Sequence, residues 1–315
     1  MGNWRRARAA VRAVAAAVAA WAVCAALPAG APERASGPAT RPDPSRAAQG
    51  RMYFPDDTRD VRTFRAGGVV LWTDAPVDGA VLLGDMRAAE AFLSDVLPPP
   101  ASRPAAGGAA TRPVALAVYA RRSDYQALWQ RVGRHYGGRF GRIETEGYSY
   151  RVCCATYRGS ATSFAARRPV LCHEFAHVWL YQRHGLANDG NWLTEGLANA
   201  VQLRLFPDSG DRGDFARWME EGRMLPLKRL MDGGRVRPKD YWQAATLAEV
   251  LIADYRRRLP AVLAAYNRGD STYLIVSEAL GTDFAALTRR WAAHVRSGAR
   301  PGRRPTPPRG PAPPP

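Results

Sequence analysis

The stretch LCHEFAHVWL, residues 171–180, places His173 and His177 four apart with Glu174 directly after the first. Residues four apart on an α-helix stand one turn above each other on the same face. Two imidazoles so placed can each turn a nitrogen toward one metal ion, at about 2.0–2.1 Å if that ion is zinc. Glu174 leaves the helix at a different angle, which keeps it out of the ligand pair but within reach of a water molecule as a base. A single histidine on such a face is usually a core residue with a satisfied hydrogen bond. Two of them bracketing a glutamate inside an apolar run are harder to explain that way, because an unpartnered buried carboxylate is costly.

The segment around the motif reads as a buried helix. Pro169 suits a first helical position and Gly185 a C-terminal stop. Leu171, Phe175 and Val178 recur at i, i+4 and i+7, and Trp179 and Leu180 widen the apolar face.

A catalytic zinc takes three protein ligands and keeps one position for water. NDGNWLTEGLANAVQLRLFP, residues 188–207, offers the third donor. Asp189-Gly190 marks a turn, Asn191 can cap a second helix, and Pro207 ends it. Glu195, Asn199 and Gln202 share one face of that helix, and Leu197, Val201 and Leu205 another. Two helices joined by a short loop pack together, so Glu195 can meet His173 and His177. Asn199, one turn on, is placed to accept an N–H from a ligating imidazole. Gly196 inside a helix costs about 1 kcal/mol relative to alanine, and a close approach to the histidine helix would justify it.

HEFAH, followed by NWLTEGLAN with Glu195 eighteen residues after His177, resembles the gluzincin clan of zinc metallopeptidases. More narrowly, the chain is similar to peptidase-MA-like proteins that bacteria secrete. The resemblance spans about residues 65–296. It includes the later segments DYWQAATLAEVLIADY and LGTDFAALTRRWAAHV, with the closing Trp291. It implies that His173, His177 and Glu195 hold Zn2+ and that Glu174 is the general base. Members of the clan use a tyrosine or histidine to stabilise the oxyanion, and Tyr241 is the candidate here. Many also carry an acidic residue four after the third ligand, where this chain has Asn199. The function implied is a secreted zinc-dependent peptidase acting on a peptide or protein substrate. The alternative is a binding protein of the cell envelope that keeps the scaffold without turnover.

The elements around these residues read as α+β: a small N-terminal mixed sheet with helices, then a mainly helical half. Residues 67–74 and 113–120 are apolar, β-branched strands, and 147–159 a hairpin-like strand region. A helix ends at Pro98, and another starts with Ser123 as its cap. Residues 98–113 read as a loop rich in proline, alanine and glycine.

The N-terminus has four arginines by Arg12, then an apolar run from about Val14 to Leu27, the pattern of a signal peptide over residues 1–31. The run is short for a membrane span. Residues 32–64 read as a linker rich in proline, alanine and arginine, and 297–315 as a Pro/Arg tail. The formal charge is +17, and all but two of the 45 basic residues are arginine, the exceptions being Lys228 and Lys239. The arginines are scattered without an aromatic-interleaved motif, so no nucleic-acid partner is expected, while contact with anionic envelope polymers is allowed. Cys172 can pair with Cys153 or Cys154 in an oxidising compartment, or all three can be small buried residues.

Overall fold

The computed structural model describes residues 53–54, 60–97, 113–136, 141–159, 164–209 and 212–298. The expected signal peptide, most of the linker, the loop after Pro98 and the tail from residue 299 lie outside the described residues. The fold is α+β, a five-stranded sheet followed by a helical half.

Strands β1 (Arg62–Ala66), β2 (Val69–Thr73), β3 (Val114–Tyr119), β4 (Gly147–Tyr150) and β5 (Cys153–Tyr157) lie in the order β1-β2-β3-β5-β4. The three central strands are parallel, and each outer strand runs antiparallel to its neighbour. Every residue of β2, β3 and β5 is buried. Strands covered on both faces read as continuous apolar runs rather than alternating ones, which is what the sequence shows.

Alternate residues nonetheless go to different cores. Val69, Leu71, Leu116, Val118 and Cys154 face helix α1 (Gly79–Val96) and the helical half. Val70, Trp72, Ala117, Tyr119 and Cys153 face helix α2 (Arg122–His135). Tyr53 and Phe54 complete this second core, stacking on Trp72 at 4.9 Å and on Tyr119 at 4.6 Å. The packed structure therefore reaches into the expected linker, at Tyr53–Phe54 and again at β1. These aromatic residues bury enough apolar surface to dock where the surrounding composition suggests an unpacked chain.

Helix α2 begins at Arg122 with Arg121 in the cap position and no side-chain cap, so Ser123 is not its cap. Asp74 Oδ1 accepts the Ala120 N–H at 2.7 Å, turning the chain into the helix directly after β3.

The helical half contains α3 (Arg168–His184), α4 (Trp192–Leu205), α5 (Arg212–Glu220), α6 (Leu227–Asp232), α7 (Tyr241–Asp254), α8 (Leu259–Arg268) and α9 (Phe284–Arg296). Pro169 occupies the first turn of α3, and Gly185 closes it in the left-handed region at φ 73°. Asn191 caps α4 by accepting from the N–H groups of Leu193 and Thr194 at 2.9 and 3.0 Å. Arg168 forks onto both carboxylate oxygens of Asp85 at 2.7 Å, fixing the start of α3 to α1. Trp291 on α9 is fully buried, and its indole N–H donates to Thr246 Oγ1 on α7 at 2.9 Å.

Gly196 does mark a close approach, but to α7 rather than to the histidine helix. A Cβ added there would lie 2.6 Å from the Ala244 carbonyl oxygen and 3.2 Å from Ala248 Cβ. The histidine helix contacts the face of α4 that carries Glu195, so the adjacent position turns away from it.

Among the described residues no helix is long and apolar enough to cross a membrane. Cys153, Cys154 and Cys172 are all free and buried. Cys153 points into the core on the far side of the sheet, while Cys154 and Cys172 share the near one.

Candidate metal centre

His173 and His177 project from the middle of α3, and both are buried. Their Nε2 atoms lie 3.0 Å apart, and the rings meet edge to face at 4.7 Å. Glu195 comes from the first turn of α4, one turn past the Asn191 cap. Its Oε2 is 3.3 Å from His173 Nε2, and its Oε1 is 3.7 Å from His177 Nε2. Glu195 thus meets His173 and His177, as the short connection between the two helices led us to expect, and the loop between α3 and α4 brings it there.

These three residues form a buried group that could hold a metal ion, with donor atoms all within 4.8 Å of one another. Left to themselves they satisfy each other poorly. The carboxylate contacts are longer than good N–H···O hydrogen bonds, and Glu195 Oε2 makes no hydrogen bond despite its burial. Burial works to raise the Glu195 carboxyl, yet the neighbouring imidazoles, His177 foremost, outweigh it and hold the group far below the usual carboxylate range. A carboxylate kept ionised in a dry site, converging with two nitrogens, is a cation-binding arrangement.

Glu174 is buried beside this group. Burial pushes its carboxyl from the ordinary 4.5 up to about 7. The His173 ring and a hydrogen bond from Ser149 oppose that rise, and the Glu195 charge adds to it. A carboxyl near 7 can both accept and release a proton at neutral pH.

Tyr241, the first residue of α7, lies alongside His173, with ring centroids 6.4 Å apart and planes 21° from parallel. The structure therefore brings all five candidate residues to one place. Asn199 does not reach an imidazole as expected. Its amide turns back along α4 and donates to the Glu195 carbonyl at 2.8 Å. This is the local bond an asparagine makes most easily inside a helix.

Gly147 and Ser149 on β4 border the site without belonging to any motif. A Cβ on Gly147 would lie 2.5 Å from Val170 Cγ1 and 3.0 Å from Glu174 Cγ. The only trace of them in the sequence is the alternation of small and aromatic residues in Gly147-Tyr148-Ser149-Tyr150. No family model matches the chain, and no curated protein matches it.

Proposed function

We propose that the protein is a secreted zinc-dependent peptidase, with His173, His177 and Glu195 as ligands and Glu174 as general base. The observation that carries this reading is the buried His-His-Glu group with a second, proton-ready carboxylate beside it. Donor atoms arranged tetrahedrally about zinc at 2.0–2.1 Å stand roughly 3.3 Å from one another. The two histidine nitrogens stand 3.0 Å apart, and each has a different Glu195 oxygen nearest to it, at 3.3 and 3.7 Å, so all three side chains converge closely enough to share one ion. Two imidazoles and one carboxylate are also a donor set that suits zinc and leaves one position open.

Zinc held there would lower the pKa of a bound water to about 7 and polarise a carbonyl group. The chain's own residues do the rest. Glu174 takes a proton from the attacking water and returns it to the departing amine. Tyr241, whose ring lies beside His173, would supply a hydroxyl donor to the developing negative charge. The dry walls around the ligands strengthen each of these interactions. β4, an edge strand of the sheet, runs beside Glu174, and a sheet edge is where an extended peptide can add as one more strand.

Hydrolysis of fluorescein-labelled casein, with and without a zinc chelator, tests the reading. Glu174→Gln is expected to retain the metal and lose activity by about 10²-fold or more. Full activity in that variant, or hydrolysis that survives complete metal removal, would overturn it.

A further inference from the structure

We propose that Ser149, itself set by Asn188, is a positioning residue for Glu174: its hydroxyl donates to the Glu174 carboxylate and holds it in one orientation. This rests on the peptidase reading for its consequence, though not for the contact itself.

The register of β4 carries the first part. Gly147 and Ser149 are buried, while Tyr148 and Tyr150 are half-buried between them. The two tyrosines meet Trp129 and Tyr136 at ring distances of 4.7 and 5.4 Å. They therefore face α2, and the period of two along a strand sends Gly147 and Ser149 to the opposite side. That side is α3. A Cβ on Gly147 would stand 3.4 Å from Glu174 Oε1. Glycine is thus what lets the strand backbone lie against the general base. Ser149 is paired across the sheet with Cys154, whose side chain is in the same core as Leu171 and Phe175 of α3.

The second part is the direction of the hydroxyl proton. Asn188 Nδ2 donates to Ser149 Oγ at 3.0 Å. A serine hydroxyl has one proton and two acceptor sites. With an amide N–H occupying the oxygen, the proton is left to be given away, and the acceptor on that side of the strand is the Glu174 carboxylate, which lies against Gly147 two residues before Ser149. Asn188 lies in the loop joining α3 to α4, so the relay also ties the loop between the two ligand helices to the edge strand.

Two measurements test this. The first needs neither activity nor metal: a double-mutant cycle on the metal-free full chain, read by urea denaturation. Ser149→Ala should lower the folding equilibrium constant about tenfold more in the wild-type background than in Glu174→Ala. Coupling below about twofold overturns the contact.

The second uses the zinc-loaded protein and fluorescein-labelled casein. Ser149→Ala should lower kcat about 10–100-fold with KM and zinc content unchanged, as a misplaced catalytic group does. Ser149→Thr, which keeps the hydroxyl, should recover to within about threefold of wild type. Asn188→Asp should be more damaging than Asn188→Ala, because a carboxylate there would draw the Ser149 proton to itself; the reverse order overturns the proposal. If Glu174→Gln is fully active, the peptidase reading falls and the cycle alone decides the contact. If Glu174→Gln is inactive while Ser149→Ala keeps the wild-type kcat, the positioning role alone is overturned.

Discussion

Gly196→Ala separates what helix propensity predicts from what packing predicts, because the two differ in sign. In an exposed helix interior the substitution stabilises by about 1 kcal/mol. Here the new methyl would sit 2.6 Å from the Ala244 carbonyl oxygen, 3.1 Å from the Ala244 carbonyl carbon and 3.2 Å from Ala248 Cβ. Comfortable contacts between such atoms begin at about 3.5 Å. The nearest obstacle is the backbone of a buried helix, which cannot step aside as a side-chain tip can. α4 and α7 must therefore separate by several tenths of an ångström along their shared face. Overpacking of this kind costs about 1–3 kcal/mol, and a rigid backbone partner puts it at the upper end. After the propensity gain, the net expectation is a loss of about 2 kcal/mol. Urea denaturation of the metal-free protein measures it directly, as a lower midpoint with an unchanged slope. The neighbouring Glu195 moves with α4, so zinc affinity should fall by about tenfold or more, as it does when a ligand's support is altered. A midpoint that rises would refute the close packing of α4 on α7 and the account of how Glu195 is placed.

Three further outcomes are expected. Glu174 keeps its proton at about 7 in the fold, while in the unfolded chain it loses it near 4.5. Between those values only the folded state holds the proton, so the metal-free protein should lose up to about 3 kcal/mol of stability as pH rises through that window. Glu174→Gln should abolish the loss and be the more stable protein at pH 8, which thermal denaturation at a series of pH values checks. Asn191→Ala removes the acceptor for two helix N–H groups and should cost about 1 kcal/mol in chemical denaturation, with weaker zinc binding because Glu195 is in the same first turn. Burial pushes the Cys153 thiol up to about 12, and Cys154 and Cys172 are pushed up in the same way. All three should resist iodoacetamide in the native protein and react in guanidinium, as judged by peptide mass spectrometry; a disulfide among them would contradict the structure.

How much of this was legible in the sequence depended on whether the signal was local. The central strands announce themselves because burial on both faces makes each an unbroken apolar run. α3 and α4 are legible from their ends, through Pro169, Gly185 and Asn191, each of which acts on its own few residues. Glu195 could be found because a short loop forces its helix back against the histidines. β1 was not legible: Arg-Thr-Phe-Arg-Ala is the partly exposed, charged edge of a sheet, and such edges look like linker by composition. Tyr53 and Phe54 were hidden for a related reason, as two aromatic residues inside a polar stretch. Gly196 showed that something approaches closely, but its partner lies some fifty residues on, and spacing carries no information about which helix that is. Ser149 had no signal beyond a strand's alternation, since its partners come from a different strand, helix and loop.

Metal content per chain, measured by elemental mass spectrometry, decides whether His173, His177 and Glu195 hold an ion. The protein is purified without chelators, equilibrated with zinc and freed of excess, beside His177→Ala and Glu174→Gln prepared identically. One zinc per chain is expected in the wild type and in Glu174→Gln, and essentially none in His177→Ala. No zinc in the wild type, or a full equivalent retained by His177→Ala, would contradict it.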